Sequence, residues 1–495
     1  MKLPRANFNG NDFPDDDVKT FNAAARITGR TSAEEWALIS YLARFNYSFK
    51  DKYLITATVR RDGSSRFGED NRWGNFPSLA LGWHLSQESF LKGSEKISDL
   101  KIRVSYGRSG NFQIGNYTYM SNVGSSNYIL GGSLVGGRIM NSLGNPILGW
   151  EKMREVNLGI DIGLWKSRLF LTLDFYKRNT EDLLLNTELP RSSGFSSAIE
   201  NHGNIQNKGF EMAISSSNIL RNDFTWVTDF NIAFNRNKVL ELGATNTPIL
   251  AGSSYEGNPT NITMIGQPLG MFYGFVFDGI YQNQEEIDRG PSFPGAVPGN
   301  MRVKDINGNG VINDIEDFEI IGNPYPDFIW GITNTLTYKG WDLRISATSQ
   351  VGGSKIHSNQ FSTHLLDGLF NVSRNLIDRW RSPAQPGNGT VPTTNGTGYG
   401  RRMYRDINSL FVQDNTYFWI KNVTLGYTLS NGIANGTISS ARFYASIQNG
   451  LLFTKYTGNP EVTSYVEGGS ALTPGYDSNP YPVPVIYSIG TNLTF

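Results

Sequence analysis

Apolar and polar side chains alternate along much of this chain with a period of two. Ile39, Tyr41, Ala43, Phe45, Tyr47 and Phe49 interleave with Ser40, Leu42, Arg44, Asn46 and Ser48. After Asp51-Lys52 come Tyr53, Ile55, Ala57 and Val59, then Leu79, Leu81, Trp83 and Leu85, each against polar or small neighbours. Leu100 to Tyr106 and Val156 to Leu164 repeat the pattern. Successive side chains of a strand point to opposite faces, so each run predicts a strand with one apolar and one polar face. Similar runs fall at 167–180, 207–218, 223–236, 327–339, 340–349, 417–429, 441–450 and 485–495. About 14 strands are expected in all.

Strand length separates the two architectures that fit. Many runs reach ten residues, whereas strands of soluble proteins average about 5–6 and a tilted strand needs about 9–11 to cross a bilayer. The polar face carries Arg, Lys, Asp, Asn, Ser and Gly, as a wetted lumen requires. The apolar face ends in residues such as Phe49, Tyr53, Trp83, Tyr106, Trp165 and Tyr338, which suit the headgroup level. Turns at Asp51-Lys52, Trp165-Lys166-Ser167 and Lys339-Gly340 are tight, while 110–150, 237–326, 350–416 and 451–484 are long and rich in Gly, Asn, Ser and Pro. Short turns on one side and long loops on the other predict an all-β fold. The expected form is an antiparallel transmembrane β-barrel portion with long extracellular loops, placed in the cell outer membrane. Residues 1–35 read as a loop preceding the first strand, and 36–495 as barrel. The competing architecture is a soluble sandwich: a secreted β-rich glycan-binding protein or glycoside hydrolase.

Composition narrows the chemistry. Lys+Arg and Asp+Glu are both 44, a net charge of zero, which argues against a nucleic-acid partner. The absence of Cys excludes disulfides, thiolate metal sites and thiol nucleophiles. Glu34-Glu35 and Glu285-Glu286 are adjacent loop residues, not carboxylates facing each other across a sugar. No nucleophile elbow or phosphate loop is present, so an enzyme is not expected. No apolar run approaches the ~20 residues of a membrane helix. Met1 to Arg5 lead into Asn, Gly, Asp and Pro without the apolar stretch of a secretory leader.

Several motifs are recognisable together. Arg61-Asp62-Gly63-Ser64-Ser65-Arg66-Phe67-Gly68 is followed by Phe76-Pro77-Ser78 and Gly82-Trp83. Asn145-Pro146 precedes Leu148-Gly149-Trp150-Glu151-Lys152; further on come Asn207-Lys208-Gly209-Phe210-Glu211, Gly266-Gln267-Pro268 and Gly322-Asn323-Pro324 with Pro326-Asp327-Phe328. The last strand ends on Phe495. Over nearly its whole length the chain resembles the SusC/RagA family of TonB-linked outer-membrane proteins. The resemblance implies a barrel of about 22 strands that imports oligosaccharides or peptides. A SusD-like surface lipoprotein caps it, and the TonB complex acts on a plug. With about 14 strands and no plug region, the chain is expected to be the C-terminal barrel portion. It would then form an open arc with unpaired first and last strands, and Met1 would be an internal start or a truncated gene product.

Two sets of loop residues are candidate sites. Asp305, Asn307, Asn309, Val311, Asn313 and Glu316 match the D-x-N-x-N-G-x₅-E calcium loop, with Gly310 at the sharp turn. Two ionised ligands predict weak Ca²⁺ binding, against a loop held by its own hydrogen bonds. Tyr117, Tyr119, Tyr255, Tyr399, Tyr404, Tyr465 and Tyr476 are candidate cargo contacts, because sugars and peptides stack on aromatic faces. His357 and His364 are expected to be surface residues.

Overall fold

The computed structural model describes residues 2–13, 24–195, 197–243, 245–254, 256–363, 371–394, 403–429, 438–462, 471–478 and 481–495. Thirteen strands form one antiparallel sheet: β1 (Leu38–Phe49), β2 (Tyr53–Ser64), β3 (Trp73–His84), β4 (Ile97–Asn111), β5 (Glu151–Leu164), β6 (Leu169–Glu181), β7 (Asn204–Leu220), β8 (Phe224–Glu241), β9 (Phe328–Tyr338), β10 (Trp341–Val351), β11 (Tyr417–Leu429), β12 (Ser440–Thr454) and β13 (Ile486–Thr494). Each strand bonds only to its neighbours in sequence, so the sheet is a pure up-and-down meander. Among the described residues β1 and β13 each lack a second partner, and the sheet is an open arc.

The tight turns lie at one end. Lys339 and Gly340 both take positive φ (45° and 90°) between the paired Tyr338 and Trp341. That is the two-residue hairpin turn whose twist matches the flanking strands. Lys50-Asp51 and Trp165-Lys166-Ser167 also turn through positive φ at this end. The connections at the opposite end carry the long loops.

The two faces of the sheet differ as the alternation requires. Ile39, Val59, Leu81, Val156, Leu158, Leu425 and Ile489 stand bare on one face. None belongs to any of the three buried apolar clusters, all of which lie at the long-loop end. A sandwich would cover these side chains with a second layer. Here only lipid can, which disposes of the secreted sandwich.

Aromatic rings mark both edges of the bare band. Phe49, Tyr53 and Trp83 stack in succession (6.4 and 6.3 Å) at the tight-turn end, and Trp341 meets Tyr427 at 4.8 Å. Tyr41–Trp73 and the ladder Phe175–Phe210–Phe234–Phe328 mark the other edge. From Tyr41 to Phe49, at about 3.4 Å per residue and a tilt of about 40°, the band is roughly 20 Å tall. Among the described residues no helix is long and apolar enough to cross a membrane.

Two features differ from the expectations. Residues 1–35, expected as a loop, contain a hairpin of Lys2–Asn11 and Arg26–Glu35, paired from Lys2↔Glu35 to Asn11↔Arg26. Its Asn- and Gly-rich sequence hides the alternation. The Phe8 ring lies over Gly29, within 2.8 Å of where a Cβ would stand, so packing comes from an aromatic laid on a glycine. The long loops are also less irregular than their composition suggests. They contain a four-stranded sheet (Ile249–Ala251, Asn261–Thr263, Met271–Phe275, Phe318–Gly322) and a three-stranded one (Ser354–His357, Val412–Asp414, Tyr476–Asp477). Both pack around a shared core that includes Phe272, Phe275, Tyr281, Ile312, Ile356 and Ile407.

Candidate functional site

The polar face of the wall is lined by ion pairs that cross strands. Arg103 on β4 forks onto Asp161 on β5 (2.8 and 3.0 Å) and reaches Asp174 on β6 (3.2 Å twice). Arg442 on β12 holds Asp342 on β10 at 2.9 and 2.5 Å, passing over β11 between them. Both arrangements need a glycine beneath the guanidinium. A Cβ on Gly159 would lie 2.5 Å from Arg103 Cζ, and one on Gly426 would lie 2.5 Å from Asp342 Oδ1. The glycines let planar, bidentate pairs lie flat against the wall. Arg60–Asp62 and Arg178–Glu155 add to the polar lining at 2.8 and 2.7 Å. The period-two pattern put these charges on one face, but two-strand register was needed to pair them.

The most specific sequence motifs meet at the loop-side rim. Phe67 and Leu148 are fully buried against Trp150, whose ring centroid lies 5.3 Å from both Phe67 and Phe76 and 5.4 Å from Phe112. Trp150 Nε1 donates to the Arg72 carbonyl at 3.0 Å. Gly68 faces Pro146 O, which would be 2.3 Å from a Cβ. Arg66 lies over the rings of Trp36 and Phe112 and donates to Asn116 at 2.9 Å. These blocks therefore hold the top of the wall together.

Above the rim, the loop core encloses charged groups. Lys355 is buried and donates to the carbonyls of Pro460 (2.6 Å) and Val462. Burial pushes its ammonium down to about 8, against the opposing pull of Asp477 and Glu461. Asp406, also buried, has its carboxyl pushed up by desolvation, against hydrogen bonds from Ser254, Asn258 and the Ile407 backbone.

Residues 305–316 form a succession of Asx turns. Asp305 accepts from Gly308 N (2.7 Å) and Gly310 N (2.8 Å), Asn307 from Asn309 N, and Asn309 from Val311 N. Gly310 takes φ +84° at the turn. Asn313 donates to Glu316 at 3.2 Å. Asp317 lies outside the motif; it ties the loop's two ends by accepting from Ile306 N and Asn313 N. The loop is thus satisfied by its own hydrogen bonds. Its donor set of two carboxylates, three Asn amides and the Val311 carbonyl is all oxygen, suited to a hard cation. Among the described residues no cluster of three His, Cys, Asp or Glu forms a metal site.

The tyrosine candidates separate. Tyr117 is partly exposed, and its hydroxyl accepts from Glu35 N at 3.1 Å; Tyr119 is half-buried nearby. Tyr404 is buried in the loop core 5.9 Å from Phe411, and burial raises its phenol. Tyr476 packs on the same core beside Phe361. Tyr255, Tyr399, Tyr465 and His364 lie outside the described residues. His357 is half-buried, with Nδ1 3.1 Å from Thr457 Oγ1.

The TonB-dependent receptor-like β-barrel family matches residues 3–308. The TonB-dependent receptor P3 of Formosa agariphila is 35% identical over 470 residues, which are 93% of this chain and 46% of that protein. The TonB-dependent receptor SusC of Bacteroides thetaiotaomicron is 33% identical over 475 residues, 92% of this chain and 44% of that one. Among solved structures, the RagAB peptide transporter superposes with a TM-score of 0.79 at 25% identity, over 100% of this chain and 52% of its own. The chain thus spans about half the length of the relatives it matches. Those relatives are receptors and transporters, not enzymes. With its lipid-facing band, polar lumen and loop-side rim, the chain belongs to the TonB-dependent receptor β-barrel family of the outer membrane.

Proposed function

We propose that this chain forms wall and extracellular mouth of a SusC-like importer. Its cargo would be oligosaccharides or peptides, its cap a SusD-like surface lipoprotein, and its energy source the TonB complex acting on a plug. The observation that carries the reading is the pairing of a polar, ion-paired bore with an ordered loop body built above it. A soluble binding module has no use for the bare apolar band, and a passive pore needs no such body. Likeness to the RagAB peptide transporter supports the peptide class, and likeness to SusC supports the TonB-dependent mode of uptake.

Closure is part of the proposal. The free edges of β1 and β13 would leave unbonded backbone groups in lipid, where each costs several kcal/mol. Those edges must bond, to each other or to further strands. We also propose that the 305–316 loop takes Ca²⁺ weakly, through Asp305, Asn307, Asn309, Val311, Asn313 and Glu316, and that Tyr117 and Tyr119 at the rim contact cargo.

The test is fractionation followed by capture. The tagged protein should sediment with outer membrane, migrate differently in gels before and after boiling, and co-purify with a surface lipoprotein. Growth on the captured cargo should require both proteins and TonB. Recovery as a soluble, heat-insensitive protein would overturn the reading.

A further inference from the structure

The outer face of the wall carries cations where strand pairing should forbid them. Lys177 on β6 is the direct cross-strand partner of Lys208 on β7, and Lys208 is the partner of Arg236 on β8. Two residues further toward the loops, Arg108 on β4 pairs with Arg154 on β5. All five are exposed. Like charges directly opposite each other destabilise a sheet. The carboxylates facing this patch among the described residues are Glu181, Asp182 and Asp327. Glu181 meets Arg154 at 2.6 Å, Asp182 meets Lys152 at 2.8 Å, and Asp327 lies 3.7 Å from Arg236. Among the described residues neither Lys177 nor Lys208 forms an ion pair.

The position of the patch says what it meets. Phe175, Phe210 and Phe234 each stand two residues from Lys177, Lys208 and Arg236 on the bilayer side, in the ladder that marks the edge of the apolar band. Rings of this kind sit at the headgroup boundary. The next residues toward the loops therefore lie among the headgroups of the outer leaflet. At one end of the patch, β3 and β4 stop pairing beyond Ser78↔Gly107. A cavity of about 290 Å³ opens there, lined by Arg108, Lys152 and Arg154 together with Trp73, Asn75 and Trp150.

We propose that this face binds a phosphate-bearing glycolipid of the outer leaflet. Phosphate bridges the Lys177–Lys208–Arg236 row, and a phosphorylated sugar occupies the cavity beside Arg108 and Arg154. Guanidinium groups match phosphate bidentately, and bound anions turn the like-charge register from a cost into a binding site. The five strands concerned are paired on both sides, so the site is independent of the open edges. It rests on the outer-membrane orientation but not on cargo, plug or lipoprotein cap.

The test uses the full chain in detergent with diphosphoryl lipid A, lipid A lacking phosphate, or inorganic phosphate as probes, read by native mass spectrometry. Diphosphoryl lipid A should be retained, and the phosphate-free form should not. Inorganic phosphate at the same concentration should not displace it. K177Q/K208Q/R236Q should weaken retention about a hundredfold, as three basic groups at an anionic surface imply. K177R/K208R should retain it. R108Q/R154Q tests the cavity separately and should also weaken binding. Removal of mutual repulsion should leave heat-modifiable migration intact. Equal retention by the triple Gln variant, equal binding of phosphate-free lipid A, or displacement by inorganic phosphate would each overturn the proposal. Absence of import by the wild-type protein, with normal lipid retention, would instead count against the proposed function alone.

Discussion

Leu171 and Thr172 are adjacent on β6 and face opposite solvents. Leu171 belongs to a row that runs Leu100, Ile162, Leu171, Ile214, Phe230, Ile332 across six strands. The row lies between Trp165 at the turn and Phe175 at the far edge of the band, near mid-bilayer. Thr172 pairs with Asp161 and Ala213 on the polar face, beside the Arg103 cluster. Leu171→Arg should cost about 2–4 kcal/mol, the penalty for a cation on the lipid face at mid-depth. That corresponds to about 30- to 700-fold in the folded-to-unfolded ratio. Thr172→Arg adds a cation where Asp161 and Asp174 already share one arginine. It should change stability by less than about 1 kcal/mol. Urea titration of each variant in phosphatidylcholine vesicles, followed by tryptophan fluorescence and gel migration, measures both. The assignment of faces fails if Thr172→Arg costs as much as Leu171→Arg.

Three other predictions probe the loop side. Trp150→Ala should destabilise the rim by about 3–5 kcal/mol, seen as a lower urea midpoint, because it empties the space between Phe67, Phe76 and Phe112. Lys355 has its folded pKa lowered to about 8 from 10.5, so the unfolded state binds the extra proton between those values. Thermal stability of the loop body should therefore rise with pH from about 8 to 10.5, and Lys355→Met should flatten that rise. Millimolar Ca²⁺ should raise the unfolding midpoint of the wild type and not of Asp305→Asn, the dissociation constant falling in the range of about 10⁻⁴–10⁻³ M seen for weak extracellular sites.

The wall was largely legible in the sequence because period two is a direct image of two faces in two solvents. Runs such as Tyr53–Val59 and Val156–Leu164 could be placed on a face without any partner known. Tight turns were legible from Asp51-Lys52 and Lys339-Gly340, since their strands pair from the first residue beyond the turn. The loop body was not legible. Its strands are two to five residues long, too short for an alternation to show; Phe272, Phe275 and Ile356 are held by contacts from segments far apart in sequence. Tyr404 shows the consequence: a loop tyrosine reads as a surface platform until the neighbours that bury it are known. In the 305–316 segment the Asx turns were legible, because Asp305 bonds to backbone within five residues, whereas the tie made by Asp317 outside the motif was not.

Cross-strand chemistry lies between these cases. Gly159 and Gly426 look alike in sequence to any other strand glycine, which ordinarily weakens a strand. In the wall each sits under a guanidinium from another strand, and any side chain would lift that arginine into the bore. The pairs Arg103–Asp161 and Arg442–Asp342 are thus kept flat, neutralised within the wall and out of the path. A bore lined by paired charges offers passing cargo hydrogen-bonding edges without a strong field of one sign. Under the import proposed above, such a lining suits oligosaccharide hydroxyls and peptide amides, which need exchangeable hydrogen bonds to move and would be held by an unpaired charge. On the outer face the economy is reversed: Lys177, Lys208 and Arg236 stand in register with too few carboxylates, and there a fixed anion is what the geometry calls for.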